Sequence, residues 1–408
     1  MKQLSFLLLL TNFLVFAENL TGIQKSDASE SVLGFKVTTG AAAGYVEDLA
    51  CKSCHLKHWN GYQEVGMSQS FAKAEKGNYI EDFKANEYYH QNSQRYYKIK
   101  KNQGLLYFNR YQLDDQGEKI NVFERQIDWI LGSGNKSRSY LYQNPTGEIY
   151  QFPLGWYSDT QQWRMAPGFE EANHFGIQRQ VRRECMFCHN AFPQVPEASD
   201  SHWQPHTFPT ELPHGTGCQR CHGPGANHIK TTINGGSLEQ IHSAIVNPAK
   251  LSVEKRDSVC FQCHLLPSVS MPGVRKIGRN DYSYRPGELI SDYLIHVDIT
   301  DPEHPKSDRF EINHHAYRLR QSECFSQSKG KLTCISCHNP HVKVKPEEKI
   351  KHFGAVCLGC HQKHEISSET KINSEDCTNC HMPQTRTQDV IEVVMTDHKI
   401  QKIAASAQ

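Results

Sequence analysis

The hydrophobic pattern of the chain is uneven, and its most compact apolar run lies at the start. Leu4 to Phe16 is predominantly apolar and follows the short basic start Met1-Lys2-Gln3. Val15-Phe16-Ala17 then offers small or apolar residues before a cut after Ala17. This pattern predicts a secretory signal peptide, with a retained N-terminal anchor as the alternative.

Between about residues 90 and 155 the pattern changes to short runs rich in aromatic and branched residues. These runs predict strands at Tyr96–Ile99, Leu105–Arg110, Tyr140–Gln143 and Glu148–Phe152. Turn-forming residues separate them at 101–104, 114–117 and 144–147. Gly132 to Asn135 could suggest a phosphate loop, but it lacks the Gly-Lys-Ser/Thr ending and is interpreted as a turn. We expect a small inserted antiparallel sheet here.

The strongest chemical pattern is a Cys-x-x-Cys pair followed at once by His, which occurs seven times. It is typical of c-type haem attachment, in which two thiols add to the haem vinyl groups and the imidazole binds iron. Zinc ribbons also use Cys-x-x-Cys, but zinc does not require His at the next position. With 23 His in 408 residues, chance would give seven such His with a probability on the order of 10⁻⁹. The sequence therefore predicts seven covalent c-type haems.

These motifs are numbered 1 to 7 along the chain. Their haem-attaching cysteines are Cys51, Cys54, Cys185, Cys188, Cys218, Cys221, Cys260, Cys263, Cys334, Cys337, Cys357, Cys360, Cys377 and Cys380. Their proximal iron ligands are His55, His189, His222, His264, His338, His361 and His381. The remaining cysteine, Cys324, is most simply a buried free thiol, with an intermolecular disulfide or a thiolate iron ligand as alternatives.

Composition agrees with a core completed by cofactors. Apolar residues make up only 38% of the chain and the mean hydropathy is −0.63, so seven porphyrins would supply much of the apolar surface. The net charge of +1 and the lack of a long basic tract argue against a nucleic-acid partner. Arg182 and Arg183, just before motif 2, could pair with haem propionates or be solvated surface charges.

We therefore predict a mainly α fold with extensive loops around seven haems and a small antiparallel β insertion at about 90–155. The expected segments are a signal peptide at 1–17, a linker at 18–45, the haem 1 region with the β-rich insertion at 46–180, haems 2–4 with the following haem-free stretch at 181–330, and haems 5–7 with the C-terminal segment at 331–408.

Each c-type haem iron has a second axial position to fill. His58, His341 and His364 each follow a proximal His by three residues. Such a side chain cannot reach the same iron from the opposite face, but it can bind a neighbouring haem, and His228, six residues after His222, follows the same logic. A surface or propionate-bonding imidazole is the alternative for each. The excess of His favours mostly bis-His, low-potential haems.

Several segments resemble a known family. They are Cys51–Phe71, Cys185–Pro193, Gly217–His228, Ala316–His341 and Cys377–Ile400. They resemble the multihaem cytochromes c that are often fused to tetratricopeptide repeats, distant kin of the tetrahaem cytochrome of ammonia oxidisers and of pentahaem nitrite reductase.

The resemblance implies Met67 and His398 as distal ligands, with His314 or His315 as a further candidate. A lone Met is otherwise more often core filler. Ten residues follow His398, so we expect no repeat domain and no partner docking through one.

Two functions remain. The first is a periplasmic electron-transfer protein, a haem wire between a quinol-oxidising membrane complex and a terminal reductase or outer acceptor. It would be soluble, or membrane-associated only through a partner. The alternative is an oxidoreductase acting on nitrite, hydroxylamine, tetrathionate or a similar small nitrogen or sulfur compound at an open haem. The sequence contains neither Cys-x-x-Cys-Lys nor another recognisable catalytic constellation, which favours the electron carrier.

Overall fold

A computed structural model describes residues 31–191, 200–201, 203–265, 274–296, 305–361, 375–390 and 392–402. The predicted signal peptide, the first part of the predicted linker and His364 lie outside these ranges. None of the helices within them is long and apolar enough to cross a membrane.

The prediction of a mainly α fold is wrong. Helices take up 29% of the described residues and strands 22%, and the strands form several antiparallel sheets. The β-rich part is also larger than the predicted insertion, because it runs from the strand at Phe71–Lys73 to the strand at Arg179–Val181. The helices that carry the haem motifs are short, with 4 to 12 residues each.

In the described part of the chain the strands, β1 to β16 in order, are Ser31–Val32, Phe35–Lys36, Phe71–Lys73, Glu87–His90, Arg95–Asn102, Leu105–Leu113, Lys119–Gln126, Trp129–Leu131, Ser137–Gln143, Ile149–Tyr157, Gln162–Met165, Arg179–Val181, Val274–Arg275, Leu294–Ile295, Gln384–Arg386 and Val394–Thr396. The α-helices, α1 to α12, are Leu49–Lys52, Leu56–Gln63, Arg183–His189, Gln219–His222, Ala226–Ile233, Leu238–Ser243, Val253–His264, His315–Arg320, Glu323–Gln327, Cys334–Cys337, Lys349–Leu358 and Cys377–His381. Short 3-10 helices occur at Gly40–Ala42, Gln91–Ser93, Pro248–Lys250, Ile290–Asp292, Lys306–Asp308 and Pro346–Glu348.

The β-rich part consists of two antiparallel sheets packed on a shared core. One has the order β4-β5-β6-β7, and the other β11-β10-β9-β8-β3 with β12 also paired to β10. Alternation along β6 buries Leu106 and Phe108, and Phe108 stacks on Phe152 of β10 with ring centroids 4.4 Å apart. The register of β10 against β9 shifts around Pro153, which has no N–H to donate to the ladder.

A tight backbone contact joins this β-rich part to the helical part. The Gly215 N–H donates to the Phe71 carbonyl, and the Thr216 N–H donates to the Met67 carbonyl, each at 2.8 Å. Gly215 has a positive φ of 51°, and an added Cβ would lie 1.8 Å from the Ser68 carbonyl oxygen. Only glycine fits here without displacing the backbone. This contact places the segment around Met67 against the residues that directly precede motif 3.

Candidate haem-binding sites

Each haem motif lies on or beside a short helix. Motif 2 is contained in α3, motif 4 ends α7, and motif 7 makes up the whole of α12. Residues three and four apart lie on the same side of a helix. The spacing Cys, Cys at +3 and His at +4 therefore presents two thiols and one imidazole to a single flat group.

Four proximal imidazoles each face a second imidazole at a similar distance. Metal–imidazole bonds of about 2.0–2.1 Å place two imidazoles on opposite sides of one metal with ring centroids about 6 Å apart. The observed separations match this value, so these sites fit a haem iron held between two imidazoles. The pairs are His55–His228 at 6.2 Å, His222–His341 at 5.9 Å, His264–His315 at 5.9 Å and His338–His398 at 6.2 Å.

Backbone carbonyls fix the tautomer of several of these rings. The Nδ1 atom of His222 donates to the Val246 carbonyl at 2.8 Å, and that of His228 to the Ile241 carbonyl at 2.9 Å. The Nδ1 atom of His398 donates in the same way to the Thr396 carbonyl at 3.1 Å. A carbonyl oxygen only accepts, so Nδ1 carries the proton and Nε2 keeps its lone pair for a metal.

Ring separation alone does not define such a site, as His90 and His174 in the β-rich part show. Their centroids are 5.9 Å apart, but the Nε2 atom of His90 donates to the Glu170 carbonyl. His174 accepts from the Gly176 N–H through Nδ1, while its Nε2 contacts the Tyr97 hydroxyl. Burial lowers the pKa of His174 to about 4. Both ring nitrogens of each His are used by the protein, which argues against metal binding.

The same criterion separates His315 from its neighbour. His314 directs Nε2 at the Glu311 carboxylate, 3.1 Å away, and both side chains are buried. His315 instead faces His264. Burial, followed by the nearby His398 and His264, holds the pKa of His315 well below its usual value. A neutral imidazole is the form that binds iron.

The facing imidazoles on motifs 4 and 5 are also shielded from protonation. Burial lowers the pKa of His264 and of His338, and it has the same effect on His398. Burial likewise lowers the pKa of His341 opposite motif 3. These rings therefore stay neutral to lower pH than an exposed His would.

Thiols of different motifs lie near one another, which brings neighbouring haem attachment points close together. Burial raises the pKa of Cys221 and of Cys357. The nearby Cys263 thiol (motif 4) adds to the first shift, and the nearby thiols of Cys377 (motif 7) and Cys337 (motif 5) add to the second. The other thiols that lie near one another across motifs are Cys51 with Cys218, Cys188 with Cys263, and Cys260 with Cys334. The attachment points thus form one series, in the order 1-3-4-5-6-7, with motif 2 beside motif 4.

The segment of Met67 lies against motif 2. The Ser70 hydroxyl lies 2.7 Å from the carbonyl oxygens of both Met67 and His189. The Thr216 hydroxyl donates to the Cys188 carbonyl at 3.0 Å. The backbone of the predicted Met ligand is therefore next to the motif whose proximal ligand is His189. In the described ranges no second imidazole faces His189 or His361 at the distance seen in the four pairs.

Other sequence-selected residues have different surroundings. Arg182 is exposed, whereas Arg183 is buried with Nη1 3.5 Å from the Asp281 carboxylate, so Arg183 is not a solvated surface charge. His58 lies 4.9 Å from His341, ring centroid to centroid. Cys324 is a partly buried thiol without a disulfide, and burial raises its pKa.

One structural residue was not signalled by the sequence. The partly buried Asp48 carboxylate accepts hydrogen bonds from the Cys218 N–H at 2.9 Å and from the Gln219 side-chain amide at 3.0 Å. It lies near the thiols of Cys51 and Cys218, with the three ligand atoms within 4.8 Å of one another. Since both thiols belong to haem motifs, Asp48 is best understood as the group that links motif 1 to motif 3. A single Asp before a motif carries no pattern that would reveal this.

These features fit a chain in which four of the seven motifs could each hold a haem iron between two imidazoles. The chain is 26% identical over 192 residues to "Multiheme cytochrome MtrA" of Shewanella baltica (strain OS185), a match that covers 43% of this chain and 51% of that protein. The chain thus spans about half the length of this curated relative. No family model matches the chain. No solved structure matches it. The similarity and the motifs together support kinship with multihaem cytochromes and c-type haem as the cofactor.

Proposed function

We propose that the protein is an exported heptahaem cytochrome c that acts as an electron-transfer protein in a respiratory chain. The contiguous series of attachment motifs carries this proposal. When bound, the haem irons supply one-electron redox chemistry and no other cofactor is required. The kinship with a multihaem cytochrome supports the same class of function.

The ligand assignments follow from the facing imidazoles. We assign His228 to the haem of motif 1, His341 to motif 3, His315 to motif 4 and His398 to motif 5. Met67 is the candidate for motif 2, on the position of its backbone. His228 follows motif 3 and His341 follows motif 5 in sequence, so each ties its own motif to another haem. The segments interlock through their ligands.

The protein's side chains suit a carrier better than a catalyst at these four sites. Two facing imidazoles would occupy both axial positions of each iron and exclude small molecules from the metal. Bis-imidazole ligation also favours low reduction potentials, since Met ligation raises them. Redox partner proteins, such as a quinol-oxidising membrane complex or a terminal reductase, would exchange electrons at the ends of the series. Export to the periplasm rests on the N-terminal apolar run.

One observation favours the alternative function, an oxidoreductase. Among the described residues no second imidazole faces His189 or His361, so an open iron at motif 2, with Met67 not bound to it, or at motif 6 could accept a small nitrogen or sulfur compound. Motif 2 also branches from the series at motif 4. An oxidoreductase would use this branch as its active site and the series as its electron supply.

Reaction kinetics distinguish the two functions. Reduced carrier should be reoxidised quickly by an oxidised cytochrome but slowly by nitrite, hydroxylamine, nitric oxide or tetrathionate in stopped-flow measurements. Electron paramagnetic resonance of the oxidised protein should show nearly all haems low-spin. Turnover with one of these compounds at about 1 s⁻¹ or more, the low end for ordinary enzymes, would favour the oxidoreductase. That turnover should then disappear when a residue lining the open haem is changed.

The cofactor load is a separate prediction. Intact-mass spectrometry should give the chain cut after Ala17 plus seven haem masses, because all seven motifs are intact. Replacing Cys334 and Cys337 together by Ser should remove one haem mass. Cys324→Ser should keep all seven and serves as the matched control. Six or fewer haems on the fully matured parent chain would contradict the count.

A further inference from the structure

Four imidazoles lie in a row between motifs 4 and 5. His264 is 5.9 Å from His315, His315 is 4.5 Å from His398, and His398 is 6.2 Å from His338, measured between ring centroids. The outer separations fit a metal between the rings, whereas the central one leaves no room for one and is a direct contact. On the proposed assignment, the distal ligands of two neighbouring haems therefore touch each other.

The two touching rings come from distant parts of the chain. His315 begins α8, and His398 follows β16, so neither segment fixes the other through the covalent chain. The contact must therefore be set by interactions between these segments. A shift of either segment would change the tilt of its imidazole and the overlap between the rings.

A buried ion pair connects the two segments next to these ligands. Arg318 lies one helical turn after His315, and Asp397 directly precedes His398. The Arg318 Nε donates to Asp397 Oδ1 at 2.9 Å and its Nη2 to Oδ2 at 2.5 Å, with side-chain exposures of 9% and 3%. A two-point contact between a planar guanidinium and a carboxylate fixes orientation as well as distance.

Further hydrogen bonds hold this pair in place. The Arg318 Nη1 donates to the Ser307 carbonyl at 2.6 Å, and the Asp397 N–H donates to the Pro383 carbonyl at 2.9 Å. The Ser322 hydroxyl, in the loop after α8, donates to the His398 carbonyl at 3.2 Å. A buried ion pair contributes little net stability compared with apolar packing of the same volume. Its fixed geometry is the property that an apolar replacement would lose.

We propose that Arg318 and Asp397 are positioning residues that set the contact between the distal imidazoles of His315 and His398, and thereby the alignment of the haems at motifs 4 and 5. The proposal rests on the proposed ligand assignment. It extends the proposed electron-transfer function by identifying the side chains that fix the relative orientation of the neighbouring haems at motifs 4 and 5.

Electron paramagnetic resonance of the oxidised holoprotein tests this, because low-spin signals respond to imidazole orientation. Arg318→Lys keeps the charge but removes the two-point contact, and Asp397→Asn removes the charge. Each should shift the low-spin signals of two haems. These should be the haems that lose a ligand in the His variants. One of them should become high-spin in His315→Ala and the other in His398→Ala. Redox titration should show altered potentials for the same pair.

Arg138→Lys is the matched control. Arg138 pairs with Glu81 at 3.1 Å in the β-rich part, and both side chains are buried, with exposures of 8% and 0%. This variant loses a comparable buried contact and should leave every haem signal unchanged. A shift of the same two signals in Arg138→Lys would mean that general loss of stability produces the effect, and it would overturn the proposal.

The remaining outcomes separate the two levels of inference. If His315→Ala and His398→Ala give no new high-spin signal, the ligand assignment fails. If they do, but folded Arg318→Lys and Asp397→Asn keep the parent spectrum, the positioning role fails and the ligands stand. Should the single variants lose haem or fold, the double variant Arg318→Met with Asp397→Leu restores apolar packing without the fixed geometry. A parent spectrum in that double variant would also overturn the proposal.

Discussion

His341→Ala is expected to convert one low-spin haem into a high-spin haem that binds carbon monoxide when reduced. The His341 ring lies 5.9 Å from His222, the proximal ligand of motif 3, and burial keeps it neutral. Its removal would leave one axial position of that iron without a protein ligand. Coordination contributes to folding, so the local contact between motifs 3 and 5 should also weaken. Carbon monoxide titration and electron paramagnetic resonance measure the change.

His58 offers a matched control for this experiment. It lies 4.9 Å from His341 and has the same Cys-His-x-x-His context, but the structure does not pair it with a proximal His at the ligand distance. His58→Ala should therefore keep all haems six-coordinate, with at most a small shift in the signal of the motif 3 haem. A new high-spin haem in His58→Ala together with an unchanged spectrum in His341→Ala would reverse the assignment.

Sequence reasoning could predict the attachment residues because their chemistry is local. The Cys-x-x-Cys-His spacing needs only one turn of helix to place its groups, and the motif helices have this form. Spacing also suggested that His228 and His341 would serve a haem other than that of their own motif. It could not say which haem, because the pairs His55–His228 and His222–His341 join residues more than a hundred positions apart.

The fold class was harder to predict for a physical reason. β7 at Lys119–Gln126 is an edge strand in which nearly every side chain is exposed, so it lacks the alternation of a half-buried strand. β10 has the opposite problem, since it is buried along almost its whole length and continues five residues beyond the predicted Phe152. Neither strand shows a period of two. The sheet was therefore predicted too small and the helical share too large.

The choice between His314 and His315 shows a further limit of the sequence. The two residues are adjacent and chemically identical, and the resemblance left both as candidates. The Glu311 carboxylate takes up Nε2 of His314, so the geometry favours His315 as the iron ligand. The choice between these two His depends on the local backbone conformation, which the spacing of residues in the sequence does not determine.

Asp48→Ala is expected to lower the free energy of unfolding by about 2–6 kcal/mol, because it removes the acceptor of two partly buried hydrogen bonds, each costing about 1–3 kcal/mol when one partner is lost. Their donors are the Cys218 N–H and the Gln219 amide, so the damage falls on the contact between motifs 1 and 3. Gly217→Ala should act on the same contact, since its Cβ would lie 1.8 Å from Asp48 Oδ2. Guanidinium unfolding followed by circular dichroism measures both effects.

Asp159→Ala is the control for this prediction. Asp159 forms an ion pair with Lys136 at 2.8 Å, but both side chains are substantially exposed, 43% and 34%. Exposed pairs contribute about 1 kcal/mol or less, so this variant should unfold close to the parent midpoint. Asp48→Ala should in addition perturb the haem of motif 1, whose attachment helix begins directly after Asp48. Equal, small losses in the two Asp variants would show that Asp48 does not couple the two motifs, because removing a partly buried carboxylate that accepts two hydrogen bonds should cost more than removing an exposed one.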